Sequence, residues 1–348
     1  MSLIEAEHAL SEALSGSVKR KNNNTRNLRS RASRVTRNAP EVMVKISSFG
    51  KGAVSVQRHL QYISRNGKVD LETDRGEILQ GREQVADYFK GWKEEINDGG
   101  VYKNRRDTMH MILSMPADTP SEAVRLAGRE FAKRTFAGNH EYVMALHTDE
   151  PHPHVHITVK MLGFDGKRLH ISRDRPQEFR ETFADALRDQ GVEAEATPRQ
   201  ARGVVRRPYN AVAKHIVTET DKRPARQSKV QVAKIQSARD ELLAENRGDV
   251  PPADPWEQKV RRAHARVRRA WAKATELLSM SGDSADKGLA EKISAFMASR
   301  LPSDVKPPLT ERAALKAKLM QGASEIQVQQ ETLNPQPRPP RPEVDADR

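Results

Sequence analysis

The 348-residue sequence contains no cysteine, which removes disulfides, thiolate metal sites and cysteine nucleophiles together. Aromatic residues are scarce at 5%, and hydrophobic residues reach only 36%, so one good core with extensions is expected rather than several packed domains. No run approaches the roughly 18 to 20 apolar residues that a membrane-spanning helix needs, and residues 1–17 carry Glu5, Glu7 and Glu12 with no basic stretch ahead of them. Neither membrane insertion nor a signal peptide is therefore expected, and a reducing cytoplasm is the expected compartment. A GxxxxGK(S/T) phosphate loop is absent, so no ATP-driven motor can be argued. Internal repeats are absent too.

Positive charge is what the chain has in excess. Sixty Lys and Arg stand against 47 Asp and Glu, a formal net charge of +13, which suits a polyanionic partner such as nucleic acid. Residues 18–40 hold eight basic side chains and no acid, so residues 1–40 read as a mobile basic arm. Residues 196–229 hold nine basic residues against two acidic and read as a basic strap. Helices are expected at 230–246 and at 256–280, the second carrying Lys259, Arg261, Arg262, Arg266, Arg268, Arg269 and Lys273, with weaker ones at 284–300 and 311–330. Residues 211–300 thus form a basic helical region, and 301–348 a weakly helical to disordered Pro/Arg-rich tail.

Between these flanks, residues 41–210 carry the pattern of a packed α+β domain. Val42, Val44 and Ile46 alternate with polar neighbours, and residues 107–114, 142–147 and 154–161 also read as strands. Helices are expected over 55–65, closed by Asn66-Gly67, over 120–136, and over 175–190 ahead of Gly191. Strands joined by a six-residue loop favour a central antiparallel sheet, with helices covering one face.

Four of the eleven histidines fall within the ten residues of HTDEPHPHVH, where chance would place about a third of one. His154 and His156 project from one face of a strand whose other face carries Val155, Ile157 and Val159. An antiparallel neighbour ending at His147 would bring a third imidazole beside them. Three neutral imidazoles with an open position describe a catalytic metal site, suited to Mn, Zn, Co or Ni by ligand type and to Mg with help from substrate oxygens. Mg or Mn is the expected ion. His152 precedes Pro153, which ends the pleat, so it is given a supporting or substrate-facing role. Asp149 is open to three roles: orienting a ligand imidazole, accepting a proton, or closing the turn. His110 shares a strand face with Ser114 and either borders the same site or is a structural histidine.

Of the five tyrosines, Tyr62 stands out. On its helix Val56, Leu60 and Ile63 make a narrow apolar arc, and Tyr62 lies about 100° beyond its edge. Arg58 and Arg65 share its side. Two guanidinium groups beside a phenol favour the phenolate and attract a phosphodiester, which is what a tyrosine nucleophile for DNA needs.

The segments VKISSFGKGAVSVQRHLQYISRNGKVDLE, MHMILSMP and HTDEPHPHVHITVK, in that order, resemble the three motifs of conjugative relaxases and mobilisation nucleases of the HUH endonuclease superfamily, named for two histidines flanking a hydrophobic residue, here His154-Val155-His156. The resemblance implies a relaxase-type fold over 41–210, with Tyr62 as nucleophile and His147, His154 and His156 as ligands of a divalent metal ion. It further implies that Ser114 holds DNA beside the nick and that Asp149 is the acidic member of the third motif. The activity implied is nicking and religation of single-stranded transfer-origin DNA through a 5′-phosphotyrosine intermediate, followed by piloting of the strand into a recipient cell. Partners implied are a relaxosome accessory DNA-binding protein and a type IV secretion coupling protein. Arg173, Arg175, Arg199, Arg202, Arg206, Arg207 and Tyr209 are candidates to line a groove for the strand.

Three other readings compete. A rolling-circle replication initiator or transposase of the same superfamily shares the chemistry, but its tyrosine generally follows the histidine pair. A cupin-like metal hydrolase needs no tyrosine and wants a glutamate where this chain reads ITVK. A non-enzymatic DNA-binding accessory protein with a structural metal predicts DNA binding without a covalent product.

Overall fold

This computed structural model describes residues 3–15, 27–98, 105–204, 229–249, 255–301 and 315–322. In chain order the elements are α1 (Leu3–Ser15), α2 (Leu28–Thr36), β1 (Met43–Gly50), α3 (Gly52–Ile63), β2 (Leu71–Thr73), β3 (Ile78–Leu79), α4 (Gly81–Asp98), β4 (Thr108–Ser114), α5 (Ser121–Phe136), β5 (Tyr142–His147), β6 (His154–Lys160), α6 (Arg175–Asp189), a 3-10 turn at Arg199–Arg202, α7 (Lys229–Asn246), α8 (Pro255–Ser279) and α9 (Ser284–Arg300). Residues 315–322 are also helical.

The strands make one six-stranded sheet in the order β1-β4-β6-β5-β2-β3, with every neighbouring pair antiparallel. Period-two alternation sorts its side chains cleanly. Met109, Met111, Leu113, Val155, Ile157, Val159 and Met144 point to one face, where Phe131 and Phe136 of α5 and Phe179 and Phe183 of α6 close the main core. Val143 and Ala145 point the other way, against Val56, Leu60 and Ile63 of α3 and Phe89 and Trp92 of α4. The α+β antiparallel fold is the expected one, and its second helical layer adds to the single layer anticipated. Helix α4 and the short strands β2 and β3 lie in a stretch where no element was anticipated.

Helix α3 begins two residues after β1 and ends sooner than the sequence suggested. Its N-terminus is capped from outside: the Gly52 N–H donates to Asp107 Oδ2 at 2.7 Å, placing a carboxylate where the helix dipole is positive. Arg65, Asn66 and Gly67 then follow with φ of 50°, 57° and 85°, a left-handed run that turns the chain sharply off the helix.

Residues 1–40 require a correction, because they are not a mobile arm throughout. Ala6, Ala9, Leu10, Ala13 and Leu14 of α1 form a helical stripe, and Leu28, Ala32 and Val35 of α2 another. Both stripes bury against Val267, Trp271, Ala274 and Leu278 of α8 and Ile293 and Phe296 of α9. The local excess of arginine hid this, since the apolar partners lie more than two hundred residues away in sequence. Residues 16–26 lie outside the described residues.

This helical unit is tied to the sheet domain by polar contacts. Buried Arg31 and half-buried Arg34 both reach Glu195, at 3.3 and 2.9 Å, and Trp271 Nε1 donates to the Ala201 carbonyl at 3.0 Å. Of the expected strap, residues 196–204 pack here and 205–228 lie outside the described residues. In the tail, the helix at 315–322 sets Lys316 against Glu241 and Glu245 of α7 at 2.9 and 2.6 Å. Residues 302–314 and 323–348 are outside the described set.

Candidate active site and metal centre

The pairing of β5 with β6 and of β6 with β4 brings the motifs together. His147 lies opposite His154, and His154 opposite Ser114, so the three form a row across three strands. His156 sits one pleat along, between Ala145 and Ile112. Directly opposed residues in antiparallel strands share a face, and all three histidines therefore rise from the same side of the sheet. One potential ligand nitrogen from each lies within 4.8 Å of the others, and the ring centroids are 4.4 to 5.3 Å apart.

The hydrogen bonds around the rings fit a metal. His147 Nε2 donates to the carbonyl of Ile63 at 2.7 Å, and His154 Nδ1 donates to the carbonyl of His152 at 3.0 Å. Each bond fixes one N–H and leaves the opposite nitrogen with a lone pair, as orienting partners do for metal-bound histidines. His147 Nδ1 and His156 Nδ1 are buried with no hydrogen-bond partner, a costly arrangement unless something else engages them. Burial lowers the pKa of His147, aided by Arg65 against the Ile63 hydrogen bond. His156 is pushed down to about 3, by burial first and then by the neighbouring imidazoles. Both are thus neutral, the form that can ligate. The donor set can hold a divalent metal ion, with no carboxylate among its ligands.

Tyr62, next to last in α3, stands over this cluster. Its ring meets His156 edge to face at 5.8 Å between centroids, yet 53% of the residue is exposed, which leaves the phenol open to a large substrate. The Arg65 guanidinium lies 5.2 Å from the centre of the Tyr62 ring, and its other side is ion-paired with Asp149. Desolvation is the largest single influence on the Asp149 pKa and raises it, but the backbone hydrogen bond of Asp149, Arg65 and His147 together outweigh it, so the net shift is downward. Arg58 is exposed and, among the described residues, makes no hydrogen bond or cation–π contact with Tyr62.

Ser114 is buried beside His154, its hydroxyl donating to the Met115 carbonyl at 3.4 Å. His152 is exposed and serves the cluster through its backbone. His110 is buried one step behind it: Ser48 and Thr108 hydroxyls hold its two ring nitrogens at 2.9 and 2.8 Å. A register shift between Ile46 and Ser48 of β1 sets Ser48 opposite His110, the re-aiming that a bulge provides. His59, which sequence reasoning passed over, stacks flat on His110 at 3.4 Å with planes 5° apart. Its position one turn before Tyr62 on the same helix was the available signal.

The proposed DNA groove fares unevenly. Arg173 and Arg199 are exposed. Arg175 pairs with Glu178 at 3.0 Å and lies over Phe179. Arg202 is a strut rather than a strand contact: it donates to Thr197 Oγ1 at 2.7 Å and to the Ala39 carbonyl at 2.9 Å, and pairs with Glu41 at 2.6 Å. Arg206, Arg207 and Tyr209 lie outside the described residues. A larger groove of about 760 Å³ between α2, α6 and α9 has most of its cations engaged, Arg29 by Asp286, Arg34 by Glu195, Arg37 by Glu193 and Arg188 by Asp185.

The site is an edge-on tyrosine over a three-histidine cluster, on an antiparallel sheet layered by helices. Residues 62–192 match the family described as "Relaxase: MobA/VirD2-like, nuclease domain". The particular proteins it resembles are T-DNA border endonucleases VirD2: 30% identity over 192 residues to that of Rhizobium radiobacter, covering 48% of this chain and 44% of that protein. The match to VirD2 of Rhizobium rhizogenes is also 30%, covering 48% and 43%, and to that of Agrobacterium fabrum 29%, covering 48% and 42%. The matched segment is thus similar to the VirD2-like relaxase nuclease domain, and the chain spans less than half the length of these relatives. No helix among the described residues is long and apolar enough to cross a membrane.

Proposed function

We propose that the domain nicks and religates single-stranded DNA at a specific site of a transfer origin by tyrosine transesterification. The observation that carries this reading is the placement of Tyr62, half exposed and edge-on to His156, above three convergent imidazoles.

The strand would lie across the open side of Tyr62, drawn there by the basic flanks. A divalent ion held by His147, His154 and His156 would supply Lewis-acid polarisation of the scissile phosphate. The Tyr62 oxygen attacks phosphorus and loses its proton to solvent, the bond to the 3′ oxygen breaks, and that oxygen leaves as a hydroxyl. The product is a phosphotyrosine on the 5′ end, which keeps the bond energy and lets the reverse reaction religate the strand. Arg65 sits beside the ring where negative charge gathers on phosphate and phenolate, and Asp149 holds it there. Ser114, beside His154, would hold the strand near the nick.

By likeness to VirD2, the chain would then pilot the bound strand through a type IV secretion system, with an accessory DNA-binding protein and a coupling protein as partners, starting from the bacterial cytoplasm. The test of the chemistry is incubation with Mn²⁺ or Mg²⁺ and a single-stranded oligonucleotide spanning the transfer origin of the element that encodes the chain. A band retarded on a denaturing gel is expected for the wild type and lost in Tyr62→Phe; equal adduct from both would remove Tyr62 from the reaction.

A further inference from the structure

The side of α3 turned from the histidines faces α4 across a second recess. Gln57, Gln61 and Ser64 recur at i, i+4 and i+7, and with Leu60, Arg82 and Phe89 they border a cavity of about 200 Å³. That is smaller than the roughly 300 to 1,000 Å³ of pockets for drug-sized ligands, and it suits one planar ring system rather than a whole nucleotide.

Its chemistry is divided between floor and rim. Leu60, Val85 and Phe89 are buried and make an apolar floor. At the rim stand the amides of Gln57, Gln61 and Asn66 and the guanidinium of Arg82. Among the described residues, none of these four side-chain heads hydrogen-bonds or ion-pairs within the protein. Four unengaged heads around an apolar slot present paired donors and acceptors, the complement of a base edge.

The backbone fixes the slot. Gly67, with φ +85°, runs so close to α4 that a Cβ there would collide with the backbone N of Arg82. The turn after Tyr62 is thereby docked on the start of α4. Gln61 is the immediate neighbour of Tyr62, about 100° around the helix, so an extended strand on Tyr62 can reach the slot within a few nucleotides.

We propose that the α3–α4 recess receives one extruded nucleobase of the bound single strand and reads its edge through Gln57 and Gln61, so that the helix carrying Tyr62 also helps to set where the strand is cut. This rests on the reading above that the domain binds single-stranded DNA. Unstacking one base costs little in a strand that is already single, and a bidentate pair to a base edge discriminates between bases.

The experiment is selection from a randomised single-stranded DNA pool by the full chain carrying Tyr62→Phe, repeated with Gln57→Ala and Gln61→Ala added and with the isosteric Gln61→Glu. The expected result is an enriched motif in which the added substitutions flatten the preference at one position by at least about tenfold. The other positions should keep theirs. Gln61→Glu, which removes donors without emptying the slot, should change the preferred base there. An unchanged motif, a uniform loss at every position, or no motif in any variant would overturn the proposal. Failure of the nicking reading shows separately, as absence of covalent adduct when the protein with Tyr62 intact meets the enriched strand.

Discussion

His147 donates its Nε2 hydrogen to the carbonyl of Ile63, 2.7 Å away, and so ties a candidate metal ligand on β5 to the residue that follows Tyr62 on α3. One hydrogen bond thus sets both the free nitrogen of the imidazole and the height of the tyrosine helix above the sheet.

Metal binding should depend on all three histidines. Adding Mn²⁺ at about 100 times its dissociation constant should stabilise the wild type by about 2.7 kcal/mol, seen as a rise in melting temperature. His154→Ala and His156→Ala should each remove most of that rise while salt-dependent DNA binding persists. A rise of wild-type size in either variant would take that histidine out of the site.

Arg65→Ala should slow covalent adduct formation by about ten- to a hundredfold, because the guanidinium flanks both the ring and Asp149. The pair is exposed, so its melting temperature should move by no more than about a degree. A rate unchanged within error would reduce Arg65 to a surface residue.

Glu195 joins the helical unit to the sheet domain and supplies a pH signature. Burial raises its pKa, but Arg31, the Ala196 N–H and Arg34 outweigh that, and the net shift is below the ordinary 4.5. Its stabilising contribution is complete above about pH 4.5 and drains away as the pH falls further. Glu195→Gln, which leaves buried Arg31 and half-buried Arg34 short of their counter-charge, should cost about 3 to 5 kcal/mol at neutral pH. The difference from wild type should shrink on acidification in denaturant titrations; a constant gap would contradict the linkage.

Removing residues 1–40 should destabilise the chain, because Leu10, Leu14 and Val35 cover Trp271 and its neighbours. Trp271→Ala should cost about 3 to 5 kcal/mol for the same reason. A solvated arm would make the truncation neutral in a thermal melt.

These outcomes follow where the chain's patterns are local and where they are not. The alternation around His154 and His156 and the arc of Val56, Leu60 and Ile63 gave strand, helix and site face directly, because period and burial agree there. Tyr62 was legible as the residue that broke the arc. His59 was not, since its stack depends on His110, which lies 51 positions on. The α1–α2 stripes were masked by arginines and by partners at the far end of the chain. Arg202 looked like a groove cation until Glu41 and Thr197 closed around it, and charge alone does not say whether a guanidinium faces solvent or a carboxylate.

The most direct test of the central claim is mass spectrometry of the adduct. After reaction with a cleavable strand and digestion by nuclease and protease, the nucleotide mass should lie on the peptide containing Tyr62, at its phenolic oxygen and on the 5′ side of the break. A nucleotide on any other residue, or strand cleavage with no covalent peptide, would contradict the account.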